Sequence, residues 1–286
     1  NDADLLYAAA LLAVEVGKLK KAEAYLHRVL VLKTRINDAH YYLGRIAEKR
    51  SHFDQAIQWY TQVQTGERGL DAQFRVASLL GRKGDVEAAR RFLYELQKQN
   101  PELSLQTYLA EIEILNTAGR YADAMTVATA ALEKKPKQVD LLYARSLVAE
   151  KTGDMKTAEA DLRSILNIEP ENAHALNALG YMLSNHTQRY QEALDYIERA
   201  LKLLPDEPAV IDSIGWINYR MGNLPQAEQY LRRAYVLNKD AEIASHLAEI
   251  LWAQGKKEEA RALLKEAAKR DPDSPYLKEM HDRLKQ

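Results

Sequence analysis

Alanine returns along this chain at a nearly fixed interval. Ala22, Ala56, Ala89, Ala124, Ala158, Ala193, Ala227 and Ala260 are separated by 34, 33, 35, 34, 35, 34 and 33 residues. Other residues keep step with them. Gly17, Gly84, Gly119, Gly153, Gly222 and Gly255 stand five residues before the alanine, with Ser51 and Gln188 in the two remaining repeats. Pro101, Pro136, Pro170, Pro205 and Pro272 stand twelve residues after it. A period of this length belongs to a stack of small units, each unable to bury its apolar face alone.

The marks also define the unit. Apolar residues at helical spacing, as in "AHALNALGYML", run up to the glycine. A glycine ends a helix well because it takes the left-handed C′ conformation at no steric cost. A second helical run, as in "YQEALDYIERALKLL", carries the alanine and stops before proline, which lacks an N–H and clashes with the preceding turn. Strand patterns are absent. Each unit is predicted to be a helix hairpin. Ala193 and Ala200, seven apart on one face, mark a seam where two helices approach closely, and Gly44, Gly180 and Gly215 are expected to do the same on first helices.

These residues also carry a family resemblance. The order L-G, G, Y, E-A, Y, A-L, P, and "ALNALGYM…RYQEALDYIERALKLLP" in particular, resembles the tetratricopeptide repeat. The resemblance implies an all-α fold: a right-handed α-solenoid of eight tandem helix-turn-helix repeats over 3–272, closed by a capping helix over 274–286. Two local departures stand out. The sixth repeat has one extra residue in "SNHTQRY" and no turn glycine, and "QTGERGLD" (64–71) has two glycines in place of the proline, which predicts a looser junction.

The two ends read differently. In "SPYLKEMHDRLKQ", Ser274 is an expected N-cap and Pro275 the first helical residue, with Leu277, Met280 and Leu284 on one narrow stripe. "LLYAAALLAV" (5–14) is apolar on every face and is expected to need neighbours on both sides, as an interior repeat cut open would. At ten residues it is half the ~20 that a membrane span needs. The chain opens on Asn1 with no signal pattern, so we expect a processed or excised piece whose targeting segment lies elsewhere.

Composition narrows the chemistry. With 47% hydrophobic residues the chain is ordered, and a net charge of −1 with interleaved signs argues against a nucleic-acid partner. Cysteine is absent, so no disulfide or thiol chemistry is available. None of the common phosphate-loop, dinucleotide, zinc-protease or nucleophile-elbow motifs occurs, and the seven histidines include no i,i+4 pair. No catalytic residue, metal site or cofactor is expected. His174 and His246 read as polar lining.

The resemblance implies that first helices line the concave side. Early repeats place Tyr7, Tyr41, Tyr42, Arg45, Phe74, Arg75 and Arg82 there, and His174, Asn185 and Ser245 follow later. Candidate protein- or peptide-binding residues are Tyr143, Asn177, Tyr181, Trp216, Tyr219, Arg220 and Trp252, since aromatics with Arg and Asn often anchor interfaces. The family's clamp for a peptide carboxylate needs Lys and Asn where this chain has Asn177, Tyr181, Ser213 and Glu249, so that clamp is not expected.

The expected function is a non-catalytic protein-interaction scaffold or adaptor. The stretch from Leu176 to Tyr235 is similar to proteobacterial outer-membrane repeat lipoproteins. That similarity implies an adaptor for a carboxyl-terminal processing protease and its substrates, peptidoglycan hydrolases among them. It also implies a periplasmic site, with the membrane reached only through an N-terminal lipid anchor outside this sequence. A chaperone of a secretion or assembly system, and a regulatory domain of a larger enzyme, are the alternatives.

Overall fold

The computed structural model describes residues 2–64 and 67–284. Among them are 17 α-helices and no strand. The chain divides into two compact units, 1–136 and 137–286.

Unit 1 holds four hairpins. They are α1 (Ala3–Glu15) with α2 (Leu19–Val31), α3 (Ile36–Lys49) with α4 (Phe53–Tyr60), α5 (Glu67–Arg82) with α6 (Val86–Gln99), and α7 (Ser104–Thr117) with α8 (Tyr121–Lys134). Unit 2 holds α9 (Val139–Thr152) with α10 (Met155–Ile168), and α11 (Ala173–His186) with α12 (Tyr190–Leu203). It continues with α13 (Pro208–Arg220) and α14 (Leu224–Leu237), α15 (Ala241–Ala253) and α16 (Lys257–Arg270), and the single helix α17 (Pro275–Arg283). Within each unit a second helix packs on its own first helix and on the first helix of the next hairpin.

The repeated residues do what their spacing predicts. All eight marker alanines are buried. The six turn glycines have φ between +72° and +87°, where a side chain is strained even though nothing lies within 4 Å of a Cβ built there. Helices end two residues before the proline, at Gln99, Lys134, Ile168, Leu203 and Arg270. Close approach is tightest on the first helices. A Cβ on Gly44 would lie 2.7 Å from the Tyr60 ring, and one on Gly215 would lie 2.7 Å from Leu231. On Gly180 it would meet Ile197 at 2.5 Å and the Ala193 carbonyl oxygen at 2.8 Å. Ala200 packs in the same seam between Leu176 and Val210.

The irregular turns have their own solutions. Ser51 takes the left-handed conformation (φ 59°) without being glycine. The sixth turn avoids it: Thr187 is extended, its hydroxyl donates to the Leu183 carbonyl at 2.6 Å and accepts from the Arg189 N–H at 3.0 Å. At 64–71, Gly69 lies inside α5, while residues 65 and 66 of the expected loose junction lie outside the described residues. Ser274 holds the N-cap position of α17, yet its buried hydroxyl makes no capping bond, a correction to the sequence expectation. Leu277 and Met280 are buried as the stripe requires.

On α1, Tyr7, Ala10 and Ala13 face unit 1, whereas Leu5, Leu12 and Val16 are 69%, 61% and 56% exposed. The remaining apolar face of α1 is thus open within unit 1. No described helix is long and apolar enough to cross a membrane.

Candidate functional site

First helices of successive hairpins touch along α11, α13, α15 and α17. Residues about one repeat apart therefore stack, and those on the shared face converge. They enclose a pocket of ≈ 420 Å³ lined by Tyr181, Trp216, Glu242, His246 and Glu249, with Glu150 from α9 and Tyr276, Glu279 and Arg283 from α17.

His246 is the centre of its wall. Its Nδ1 lies 2.9 and 3.0 Å from the two carboxylate oxygens of Asp212, and both residues are buried. The imidazole stacks on Trp216 at 4.2 Å between centroids, with planes 25° apart. Trp216 Nε1 donates to Asn185 Oδ1 at 2.5 Å, which fixes the indole in place. Tyr219 lies 5.2 Å from Trp216 and Tyr181 lies 6.2 Å from His246, centroid to centroid. The Tyr181 hydroxyl donates to Glu242 at 3.0 Å and the Tyr219 hydroxyl to Glu249 at 3.1 Å. Arg283 donates to both oxygens of Glu249, at 2.6 and 2.9 Å.

Electrostatics follow from burial and these carboxylates. Burial, then the Glu242 charge, holds the Tyr181 hydroxyl well above the ordinary phenol range. The Tyr276 hydroxyl is pushed up to about 12, again by burial first and Glu242 second. For His246, burial opposes protonation, but the Asp212 carboxylate more than offsets it and the pKa is raised.

That shift has a consequence for stability. The unfolded imidazole has a pKa of about 6.5, so the stabilisation it gives is complete below that value and is lost as pH rises through the higher folded value. Asp212, Glu242, Glu249 and Tyr181 all face the ring and keep this sign. Denaturation midpoints of unit 2 are expected to fall as pH is raised above about 6.5, and His246→Gln is expected to flatten that dependence. Equal slopes in parent and variant would contradict the pairing.

An Asp–His pair activates a nucleophile only where a hydroxyl or thiol lies in reach of the imidazole, and the neighbouring serines are turned away. Ser245 donates to the Ala241 carbonyl at 2.9 Å, Ser213 to Ala209 at 2.9 Å, and Ser184 to Tyr181 at 2.7 Å. Each is committed to its own helix. Among the described residues no group of three or more His, Asp or Glu could hold a metal ion. What the pocket offers is an aromatic floor and walls of mixed charge, with carboxylates beside Lys151, His186 and Arg283, a surface for polar and charged groups.

The candidate residues from the sequence separate into groups. Tyr181 and Trp216 line this pocket, and Tyr219 packs against Trp216 beside it. Arg220 instead donates to the Tyr190 hydroxyl at 3.1 Å and covers that ring at 5.5 Å. Trp252 lines a different groove, beneath Lys257 and Arg261. Tyr143 is largely buried, which raises its phenol pKa, and Asn177 Oδ1 is buried with no hydrogen-bond partner. Asp212, Glu242 and Glu249, with the α17 residues, were missed by sequence reasoning. The spacing of 34 between Asp212 and His246 was the available signal, because one full repeat puts them side by side.

In unit 1 the first helices form a second polar network. Tyr41 donates to Asp71 at 2.6 Å, Tyr60 to Glu48 at 2.7 Å, and Arg75 joins both acids at 2.6 and 3.1 Å. Phe74, Arg75 and Arg82 border a groove of ≈ 540 Å³ floored by Leu109, Ala110 and Ile114.

Stacked helix hairpins whose first helices touch in sequence define a helical-repeat protein. Patterns described as tetratricopeptide repeats match residues 7–69, 109–169, 162–208 and 214–275, and a second such pattern matches 71–102; the chain belongs to the tetratricopeptide repeat family. It is similar to the TPR repeat-containing protein PA4667 of Pseudomonas aeruginosa, 42% identical over 214 residues, 75% of this chain and 36% of that protein. The chain thus spans about a third of the length of that relative. Two solved structures share the fold. The thermophilic TPR protein TTC0263 of Thermus thermophilus is 23% identical with a TM-score of 0.58, covering 63% of this chain and 99% of that one. Cut9–Hcn1 of the APC/C is 15% identical with a TM-score of 0.63, covering 98% of this chain and 55% of that one.

Proposed function

We propose that the chain is a non-catalytic scaffold that grips a partner protein on the first-helix face of unit 2. One observation carries this reading: Tyr181, Trp216, Glu242 and Glu249 converge on one pocket from three consecutive first helices. A partner segment lying across the hairpins would meet all of them, with its Lys or Arg side chains on the carboxylates and its apolar groups on Trp216 and Tyr219. The finer reading is a periplasmic adaptor, anchored to the outer membrane by a lipid outside this sequence. It would hold a carboxyl-terminal processing protease and present peptidoglycan hydrolases to it. Similarity of "LNALGYM…QYLRRAY" to repeat lipoproteins supports that reading.

The test is recovery of partners from a periplasmic extract on immobilised protein. Tyr219→Ala trims the edge of the aromatic cluster, and truncating such an anchor typically costs about 2 kcal/mol or more of binding. The variant is expected to hold its partner at least about tenfold more weakly while helicity and melting stay close to the parent. Arg220→Ala, which disturbs only the Tyr190 contact, is expected to bind as the parent does. Full binding by Tyr219→Ala would remove the Trp216–Tyr219 edge from the interface, and partners containing no protease or hydrolase would refute the finer reading.

A further inference from the structure

A second groove lies on the far side of α15 and α17. Trp252, Leu264, Ala268, Pro272, Leu277 and Leu284 form its floor, and its volume is ≈ 730 Å³. Every charged residue lining it is basic: Arg261, Lys265, Lys278 and the titratable His281. The indole of Trp252 lies under two cations, Lys257 at 4.9 Å and Arg261 at 5.2 Å.

The place of this groove in the repeat says what shape would fill it. α17 stands where the first helix of another hairpin would stand, since its N-cap Ser274 follows the N-cap Asp240 of α15 by 34 residues. At that offset Lys278, His281 and Leu284 correspond to Ala244, Leu247 and Ile250, all of which are buried. In α15 those three residues are covered by packing that includes α16, the second helix of its own hairpin. Among the described residues α17 has no such helix, and Lys278 and His281 are exposed. The groove thus lies where α16 packs on α15 one repeat earlier, with basic residues in place of the apolar ones of α15; Arg261 is paired with Glu258 and Lys278 with Asp273 at its rim.

We propose that this groove docks an acidic amphipathic helix of a partner protein. Leucine-sized side chains at i, i+4 and i+7 would rest on Trp252, Leu264 and Leu284. Glu or Asp side chains flanking that stripe would meet Lys265, Lys278, Arg261 and His281. An anionic membrane shares the charge, but a concave groove suits a rod better than a plane.

The probe is a fluorescein-labelled synthetic peptide of about four helical turns, with Leu on one stripe and Glu on both flanks. Its counterpart carries Lys in place of every Glu. By fluorescence anisotropy the acidic peptide is expected to bind the intact chain, more weakly as salt rises, and at least about tenfold more tightly than the basic one. Lys265→Glu with Lys278→Glu is expected to reverse that preference. Both positions are exposed, and circular dichroism checks that the fold is kept. Trp252→Ala is expected to weaken the acidic peptide without reversing the order. Equal binding of the two peptides, or a charge reversal that leaves the preference unchanged, would overturn the proposal. So would binding to phosphatidylglycerol vesicles with none to the peptide, which would make the groove a lipid surface. Loss of the open groove through association of two copies at high concentration would overturn it as well.

Discussion

Gly180→Leu is expected to lower the stability of unit 2 by about 3 kcal/mol. Two effects of opposite sign compete at this position. Replacing a helical glycine gains about 1 kcal/mol of helix propensity. Against that, even the first carbon of the new side chain meets Ile197 at 2.5 Å and the Ala193 carbonyl oxygen at 2.8 Å. Ile197 can rotate, but the carbonyl is fixed in the α12 ladder, so α11 and α12 must separate. Gly69 provides the contrast, because a Cβ there comes no closer than 3.7 Å to any neighbour. Gly69→Ala is expected to stabilise its helix by up to about 1 kcal/mol. Lys202→Leu, on the exposed face of α12, is expected to stay within about 0.5 kcal/mol of the parent. Urea midpoints measure all three, with hydrogen exchange followed across α11 and α12 for the two unit 2 variants and across α5 for Gly69→Ala. If Gly180→Leu and Lys202→Leu behave alike, the seam does not lie between α11 and α12.

The second large effect is electrostatic. Arg145 on α9 donates Nε and Nη2 to the two oxygens of Asp161 on α10, at 2.7 and 2.8 Å. The Asp161 side chain is 4% exposed and that of Arg145 21%. Removing one member of a buried pair strands the other, typically at a cost of about 3–5 kcal/mol. Arg145 keeps some access to water, so Asp161→Ala is expected at the lower end, about 3 kcal/mol. A well-packed apolar replacement of both removes the stranded charge. Arg145→Met with Asp161→Leu is therefore expected to recover most of the loss. A double variant as unstable as Asp161→Ala would mean that packing, rather than the ion pair, carries the effect.

The fold was legible because its constraints are local and periodic. Each alanine, glycine and proline acts within its own hairpin, so one sequence read against itself at a shift of about 34 displays them. Reading failed where another residue type met the same need. Ser51 enters the left-handed region without being glycine, and Thr187 closes its turn through a hydroxyl. The aromatic part of the candidate site was visible for the same reason: first-helix positions recur. Its polar partners were not read out, although Asp212 and His246 stand 34 apart, because repeat spacing brings two positions together without saying which side chains reach each other, as Tyr219 does Glu249. Arg220 shows the limit, as a long side chain one helical step from Tyr219 left the pocket for Tyr190. α17 was read as a cap rather than as one more first helix in register, so neither Arg283 on Glu249 nor the basic groove was anticipated.

The turn glycines have a further consequence. Their positive φ is demanded by the backbone alone, since open space surrounds each of them. Space there is free in a way that it is not in the seams, and the sixth turn dispenses with the glycine altogether without disturbing Ala193 or Ile197, both fully buried. Inserted loops, affinity tags or reporter groups placed at these turns would leave the helix seams untouched. The same tolerance gives evolution a way to decorate the edge of the array while its recognition faces stay in register.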